Sequence, residues 1–374
     1  MKKIVIVGGG NLGTLLYCEI KHYNPSCEVI ICTSDTSKWD NKIDVTDING
    51  DLIYTVNDIK VTNEVIKDAD YYFFTIPKHV IKPFIEKHIE MVEKSAKFIF
   101  IPGQGGVEFL YEKAKLKNIE FMGFQRIPYT VRLNRYGHSV CYMSLKKTQM
   151  CLATPSDKEK DFLESLIKVP LKKLPNYLAI TLVPSNPILH TARLYDLFSD
   201  GSHQGRSYDR PILFYREWND EVSKLLLEMD HEVQKICTAL SEFDLSDVIP
   251  LGEYYESKTP EELTKKLISI NALANIESPM VKRGDKFYAD LDSRYFKEDF
   301  DFGLILIKAI AELIRVQTPK IDMVLKWYGN LINKKILDEE GKIIIREEMM
   351  VPQKFGIVTK EQLVDFYVEL LKIK

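Results

Sequence analysis

The first thirteen residues, Met1-Lys2-Lys3-Ile4-Val5-Ile6-Val7-Gly8-Gly9-Gly10-Asn11-Leu12-Gly13, decide how the N-terminal half is read. Lys3–Val7 is a β-branched run suited to a buried strand. It leads straight into Gly8-x-Gly10-x-x-Gly13, and a helical periodicity follows from about Asn11 to Tyr23. In a strand–turn–helix unit each glycine has a physical task. Gly8 permits the tight turn, Gly10 lets the backbone approach a pyrophosphate, and Gly13 lets the helix pack close to the sheet. The helix start at Asn11 and Leu12 then offers free N–H groups and a partial positive charge to phosphate. The stretch reads as a dinucleotide-binding turn.

Outward from this turn, apolar runs at 28–32, 70–76 and 96–101 alternate with helical stretches such as 80–94. That order indicates parallel βαβ units, an α/β fold with a doubly wound Rossmann sheet. Ligands bind such sheets beyond the carboxyl ends of the strands, which selects three loops. Thr33-Ser34-Asp35, with Lys38 beyond, stands where an acid reads a ribose 2′-hydroxyl. Asp35 suits NAD, whereas Thr33, Ser34 and Lys38 suit the 2′-phosphate of NADP, and a plain capped turn suits all of them. NAD(H) and NADP(H) both stay open at this point. Thr75-Ile76-Pro77 ends the third strand, and Pro102-Gly103-Gln104-Gly105-Gly106 ends the fourth. The Gln104 amide, set among glycines, has room to reach a substrate carboxylate. Residues 138–154 read as a strand pair, and 155–168 as a helix N-capped by Ser156.

After about residue 180 helical periodicity takes over, in segments at 213–243, 259–276, 301–316, 319–332 and 359–374. Thr259, Pro260 and Glu262 form a capping signature. The expected domains are therefore 1–180, dinucleotide-binding, and 181–374, all-helical and carrying the substrate chemistry. With 374 residues, 45% hydrophobic and 28% charged, the chain is an ordinary globular one. Its 51 basic and 54 acidic residues leave a net charge of -3, which argues against a nucleic-acid partner. No apolar run is long enough to span a bilayer, so no membrane partner is expected. The six cysteines show no C-x-x-C spacing and suit a reducing cytoplasm. The dispersed histidines give no metal pattern.

Pro184-Ser185-Asn186-Pro187-Ile188-Leu189-His190 reads as a helix start, with Asn186 as N-cap and Pro187 in the first helical position. His190 then lies on the first turn, where a cation is disfavoured and a carboxylate partner is needed to support one. Tyr215 and Trp218 read as helical core aromatics; Asp230 and Glu232, on the same long helix, are given no role in the chemistry. Further on come Arg294-Tyr295-Phe296-Lys297-Glu298-Asp299, then Gly303-Leu304 and Thr318-Pro319.

The order of fingerprint, P-G-Q-G-G, N-P-x-x-H, R-Y-x-x-E-D-x-x-x-G-L and T-P resembles the opine (octopine/nopaline) dehydrogenase family over nearly the whole chain. The resemblance implies NAD(P)H-dependent reductive condensation of an amino acid with a 2-keto acid such as pyruvate. It implies that His190 is the acid–base and also meets the substrate, that Asp299 partners it, and that Arg294 contacts the cofactor pyrophosphate. It places Gln104 by the keto acid and Thr130, in Pro128-Tyr129-Thr130, along the substrate site. A monomer or homodimer is expected. A ketopantoate- or 2-hydroxyacid-type reductase, and a non-catalytic dinucleotide-binding protein, are the alternatives.

Overall fold

The structure is a computed structural model, and it describes residues 1–145, 149–200 and 205–372. The chain divides into two compact units, Met1–Thr181 with Phe366–Lys374, and Leu182–Asp365. Sequence reading ran the second domain to residue 374. The chain from Phe366 instead counts with the first unit, where the Tyr367 hydroxyl donates to Glu108 Oε1 at 2.8 Å.

Among the described residues the first unit carries twelve strands: β1 (Lys3–Val7), β2 (Glu28–Cys32), β3 (Lys42–Thr46), β4 (Leu52–Asn57), β5 (Val61–Thr62), β6 (Tyr71–Phe74), β7 (Lys97–Phe100), β8 (Glu120–Phe124), β9 (Tyr129–Arg135), β10 (Ser139–Leu145), β11 (Met150–Ala153) and β12 (Leu171–Leu174). Eight form one sheet in the order β12-β11-β8-β7-β6-β1-β2-β5. β1 pairs in parallel with β2 on one side and β6 on the other. The strand order therefore reverses beside β1, and the glycine turn leaves the sheet at that switch point. Ile4, Ile6, Ile31, Phe73 and Ile99 are all 0% exposed, as a sheet covered on both faces requires.

A second sheet, β4-β3-β10-β9, was not foreseen. Its β3 alternates Ile43 and Val45, both buried, with outward polar residues. This sheet also corrects the reading of 138–154. β10 joins β3 and β9, while β11 joins β8 and β12, so the two strands belong to different sheets. Residues 146–148 between them lie outside the described residues. Helix α1 (Asn11–Tyr23) and α2 (Lys78–His88) follow β1 and β6, and α3 (Asp157–Ile167) opens with Ser156 Oγ accepting from Glu159 N at 3.2 Å.

The second unit is built on α4 (Ser185–Phe198), α5 (Asp220–Ala239), α6 (Pro260–Ser269), α7 (Arg294–Lys297), α8 (Ile305–Leu313) and α9 (Pro319–Leu331). α10 (Lys360–Leu370) follows. One antiparallel hairpin, Met280–Arg283 with Lys286–Ala289, interrupts the helices. Residues 213–219 are not helical, because Asn219 caps α5 by accepting from Val222 N at 2.9 Å. Glu232 reaches the start of α9, where its two carboxylate oxygens accept from Lys320 N at 2.8 Å and Ile321 N at 3.0 Å. It therefore caps a helix.

Candidate active site

In the first unit, α1 begins after Gly10 with no side-chain cap and no acid in its first turn, so its leading N–H groups keep their affinity for an anion. Gly8 holds φ +113, open to glycine alone at little cost. A Cβ on Gly13 would stand 1.9 Å from the Gly8 carbonyl oxygen, whereas one on Gly10 would meet nothing within 4 Å. The turn is thus tight where helix and strand meet and open where a ligand would approach. Asn11 Oδ1 accepts from Leu133 N at 2.8 Å, and Leu12 packs half-buried against the core. Thr75 Oγ1 donates to the carbonyls of Val7 and Gly8 at 3.1 and 3.2 Å, which ties the end of β6 to the glycine turn. Pro77 then starts α2. These features fit a dinucleotide pyrophosphate.

Beyond β2, Thr33 Oγ1 and the Tyr136 hydroxyl share a hydrogen bond of 2.9 Å, and Ser34 is exposed. Asp35 serves its own turn. Its Oδ1 accepts from Ser37 N and Oγ at 3.2 and 2.7 Å, and Oδ2 lies 3.1 Å from Lys38 Nζ. The Ser37 hydroxyl first, then Lys38, hold its carboxyl below the usual range. Asp35 thus caps its own turn, and NAD and NADP stay equally open. Gln104 is buried at 6% exposure. Its loop is pinned by Gly103 N donating to Phe124 O at 2.8 Å and by the Tyr177 hydroxyl donating to Gly103 O at 2.9 Å. Thr130 lies half-buried on β9, opposite Ser144.

In the second unit, His190 and Asp299, 109 residues apart in sequence, meet with Nδ1 2.7 Å from Oδ2. Asp299 is 7% exposed, so little solvent competes for that hydrogen bond. Helix α4 starts at Ser185 with Pro184 at its cap and no side-chain capping bond. Asn186 is therefore not the cap, and His190 lies in the second turn. The dipole at the helix start acts on it less than expected. Arg294 is exposed at the start of α7, with its carbonyl accepting from Glu298 N at 2.8 Å.

Two local features bring the pair together. The chain after Asp299 winds as a π-helical turn, Phe300–Leu304, before α8, and such turns insert one residue and re-aim neighbouring side chains. Within it, Gly303 lies so close to α4 that an added Cβ would be 2.9 Å from both Cβ and Cγ of Pro187. Pro187 stands one turn before His190. The other histidine nitrogen, Nε2, lies 3.0 Å from the Tyr215 hydroxyl. The ring is walled by Tyr295 at 4.4 Å and, edge-on, by Phe214 at 5.5 Å. Sequence reading left Tyr215 as core, since nothing in its local pattern points to a histidine 25 residues away. Among the described residues, no cluster of His, Cys, Asp and Glu is arranged to hold a metal ion.

A dinucleotide-type turn on a Rossmann sheet and a helical unit holding a histidine–aspartate pair define the class: a two-unit dehydrogenase-type chain. The helical part matches the model of the NAD/NADP octopine/nopaline dehydrogenase alpha-helical domain over residues 173–332, a window that contains His190, Tyr215, Arg294 and Asp299. The chain is 26% identical to the tauropine dehydrogenase of Arabella iricolor, across 97% of this chain and 100% of that protein. It is also 26% identical to the opine dehydrogenase of Haliotis discus hannai, across 97% and 98%. An octopine dehydrogenase structure with NADH and L-arginine superposes with a TM-score of 0.83, at 20% identity, over 97% of this chain and 98% of that one. Over nearly its whole length the chain is thus similar to opine dehydrogenases, and its residues 173–332 match the alpha-helical domain of that family.

Proposed function

We propose that this protein is an opine dehydrogenase, which condenses an amino acid with a 2-keto acid and reduces the product with NADH or NADPH. The observation that carries the reading is the His190–Asp299 hydrogen bond inside the matched helical window. A reduced nicotinamide held at the glycine turn would supply the hydride. This chain's own residues supply proton management and binding. A carboxylate accepts only, so Asp299 takes the Nδ1–H of His190 and leaves Nε2 as the nitrogen that accepts and returns a proton. Asp299 also stabilises the imidazolium formed in between, as the aspartate does in a serine protease triad. Removing a proton from the substrate ammonium frees the amine to attack the keto carbon. Returning that proton to the hydroxyl oxygen lets water leave as the C=N bond forms.

The glycine turn at Gly8, Gly10 and Gly13, with Asn11, Leu12, Thr75 and Pro77 around it, is assigned to the cofactor, and Thr33, Ser34 and Asp35 to its ribose end. Arg294 is assigned to the cofactor phosphates, and Gln104 and Thr130 to the substrate. Octopine dehydrogenase has been solved with NADH and pyruvate as well as with L-arginine, which supports pyruvate as a first keto acid to try. No helix among the described residues is long and apolar enough to cross a membrane. A cytoplasmic location fits the six free thiols. The test is oxidation of NADH or NADPH with a keto acid alone, an amino acid alone, and both together. Turnover that needs both supports the reading. Turnover with the keto acid alone favours a ketopantoate- or hydroxyacid-type reductase.

A further inference from the structure

His190 has two ring nitrogens, and both are engaged: Nδ1 by Asp299 at 2.7 Å and Nε2 by the Tyr215 hydroxyl at 3.0 Å. With the proton on Nδ1, as the carboxylate requires, Nε2 carries a lone pair and Tyr215 O–H donates to it. A phenol therefore stands on the nitrogen that the proposed chemistry uses. We infer that Tyr215 is the third member of the acid–base array and relays protons between His190 Nε2 and the reacting amine and hydroxyl. The inference rests on the condensation proposed above.

The surroundings of Tyr215 support a fixed, functional placement. Arg193 sits one turn beyond His190 on α4 and is 1% exposed. Its Nε donates to Phe214 O at 3.0 Å and its Nη2 to Glu217 O at 2.7 Å, so it brackets Tyr215 from both sides. Asp196 answers its charge at 2.8 Å. Trp218 lies parallel to the Tyr215 ring at 6.2 Å and is itself held by Ser223 Oγ at 2.9 Å. The helix that carries the histidine thus fixes the turn that carries the phenol. Burial raises the Tyr215 phenol well above the usual tyrosine range, followed by the nearby Tyr295, Tyr255 and Asp299. It stays a neutral O–H, suited to passing a proton without holding negative charge.

The steps balance. One ammonium proton moves to the Tyr215 oxygen while the Tyr215 proton moves to Nε2, leaving a free amine, an intact phenol and an imidazolium held by Asp299. The amine lone pair forms the new C–N bond at the keto carbon as the C=O π pair moves to oxygen, and one proton on the new nitrogen passes to that oxygen, giving a neutral carbinolamine. The imidazolium then returns the proton through Tyr215 to the carbinolamine hydroxyl. The C–O bond breaks, water leaves and the nitrogen lone pair completes a protonated C=N bond, whose carbon can take the hydride that a bound reduced nicotinamide would supply.

Tyr215→Phe tests this, since it keeps the ring and its stacking and deletes only the hydroxyl. The expected result is a fall in kcat of about 100-fold, with KM for the dinucleotide unchanged within about two-fold. In the resting protein, ¹⁵N NMR should show the His190 Nε2 resonance moving toward that of a free lone pair while Nδ1–H persists; His190→Asn assigns the signals. A kcat within about three-fold of the parent, or a Nε2 resonance that does not move, overturns the inference. So does a fall in kcat matched by an equal rise in dinucleotide KM, which would indicate a structural loss. The NMR arm needs no substrate, so a parent protein without turnover counts against the proposed function and leaves the relay to be judged on the resonance.

Discussion

Gly303→Ala probes how finely the His190–Asp299 pair is set. The added methyl would stand 2.9 Å from two ring carbons of Pro187. Ordinary carbon contacts lie at about 3.5–4.0 Å, so α4 and the π-helical turn must separate by roughly 0.6–1 Å. Neither side yields easily. Pro187 is a rigid ring one turn before His190, and Gly303 lies fully buried in the turn that carries Asp299. Added to the present 2.7 Å, that separation takes the Nδ1–Oδ2 contact to the edge of hydrogen bonding or past it. Displacements of about 1 Å typically cost about 100-fold in rate, and overpacking costs about 1–3 kcal/mol of stability, offset by about 1 kcal/mol for alanine over glycine in a helix. The assay is steady-state kcat beside thermal unfolding. The expected result is a kcat loss of about 30- to 100-fold with Tm lowered by only a few degrees. A variant with parental kcat would refute the idea that this contact sets the geometry, because the methyl would then have been accommodated without moving the pair.

Three further outcomes follow from the same packing. Burial raises the Asp301 carboxyl to about 6 against an ordinary 3.8, with the Tyr328 hydroxyl donating to it at 3.2 Å. Between pH 4 and 6 the unfolded chain releases this proton while the folded one keeps it, so stability falls as pH rises through that window, by at most about 3 kcal/mol. Asp301→Asn removes the effect: its Tm should gain on the parent from pH 4 to 6 and hold that gain above, and a pH-independent difference would contradict it. Glu232→Ala strips the cap from α9 and leaves two backbone N–H groups unpaired. A loss of about 2–3 kcal/mol is expected in chemical denaturation, and a loss under 0.5 kcal/mol would show that water replaces the carboxylate. Gly13→Ala places a methyl against the Gly8 carbonyl oxygen. It should abolish dinucleotide binding by calorimetry or prevent folding of the first unit, and a folded variant with parental affinity would contradict the role given to that turn.

What the sequence discloses follows the range of the interactions. The Gly8–Gly13 turn and the caps at Ser156 and Thr259 are settled within four or five residues, and they stand where the sequence places them. The partnership of His190 and Asp299 was legible only through a motif pattern, because their separation in the chain exceeds any local rule. Tyr215 escaped for the same reason. It lies in a turn whose shape is dictated by Arg193, and a helical periodicity that runs through 213–219 hides that turn, which ends at the Asn219 cap. The four-stranded sheet escaped because its strands are polar on one face and its β3–β10 pairing joins segments far apart in the chain. The separation of β10 from β11 depends on pairing partners, which alternation alone does not specify.

In the proposed function the histidine–aspartate pair of the helical unit drives a condensation needing two substrates and a reduced nicotinamide. Cofactor oxidation measured with pyruvate and a panel of amino acids, in the parent and in His190→Asn and Asp299→Asn, tests it most directly. Oxidation is expected only when keto acid and amino acid are both present, with turnover reduced by at least about 100-fold in both variants. Oxidation that ignores the amine, or that survives both substitutions, would contradict it.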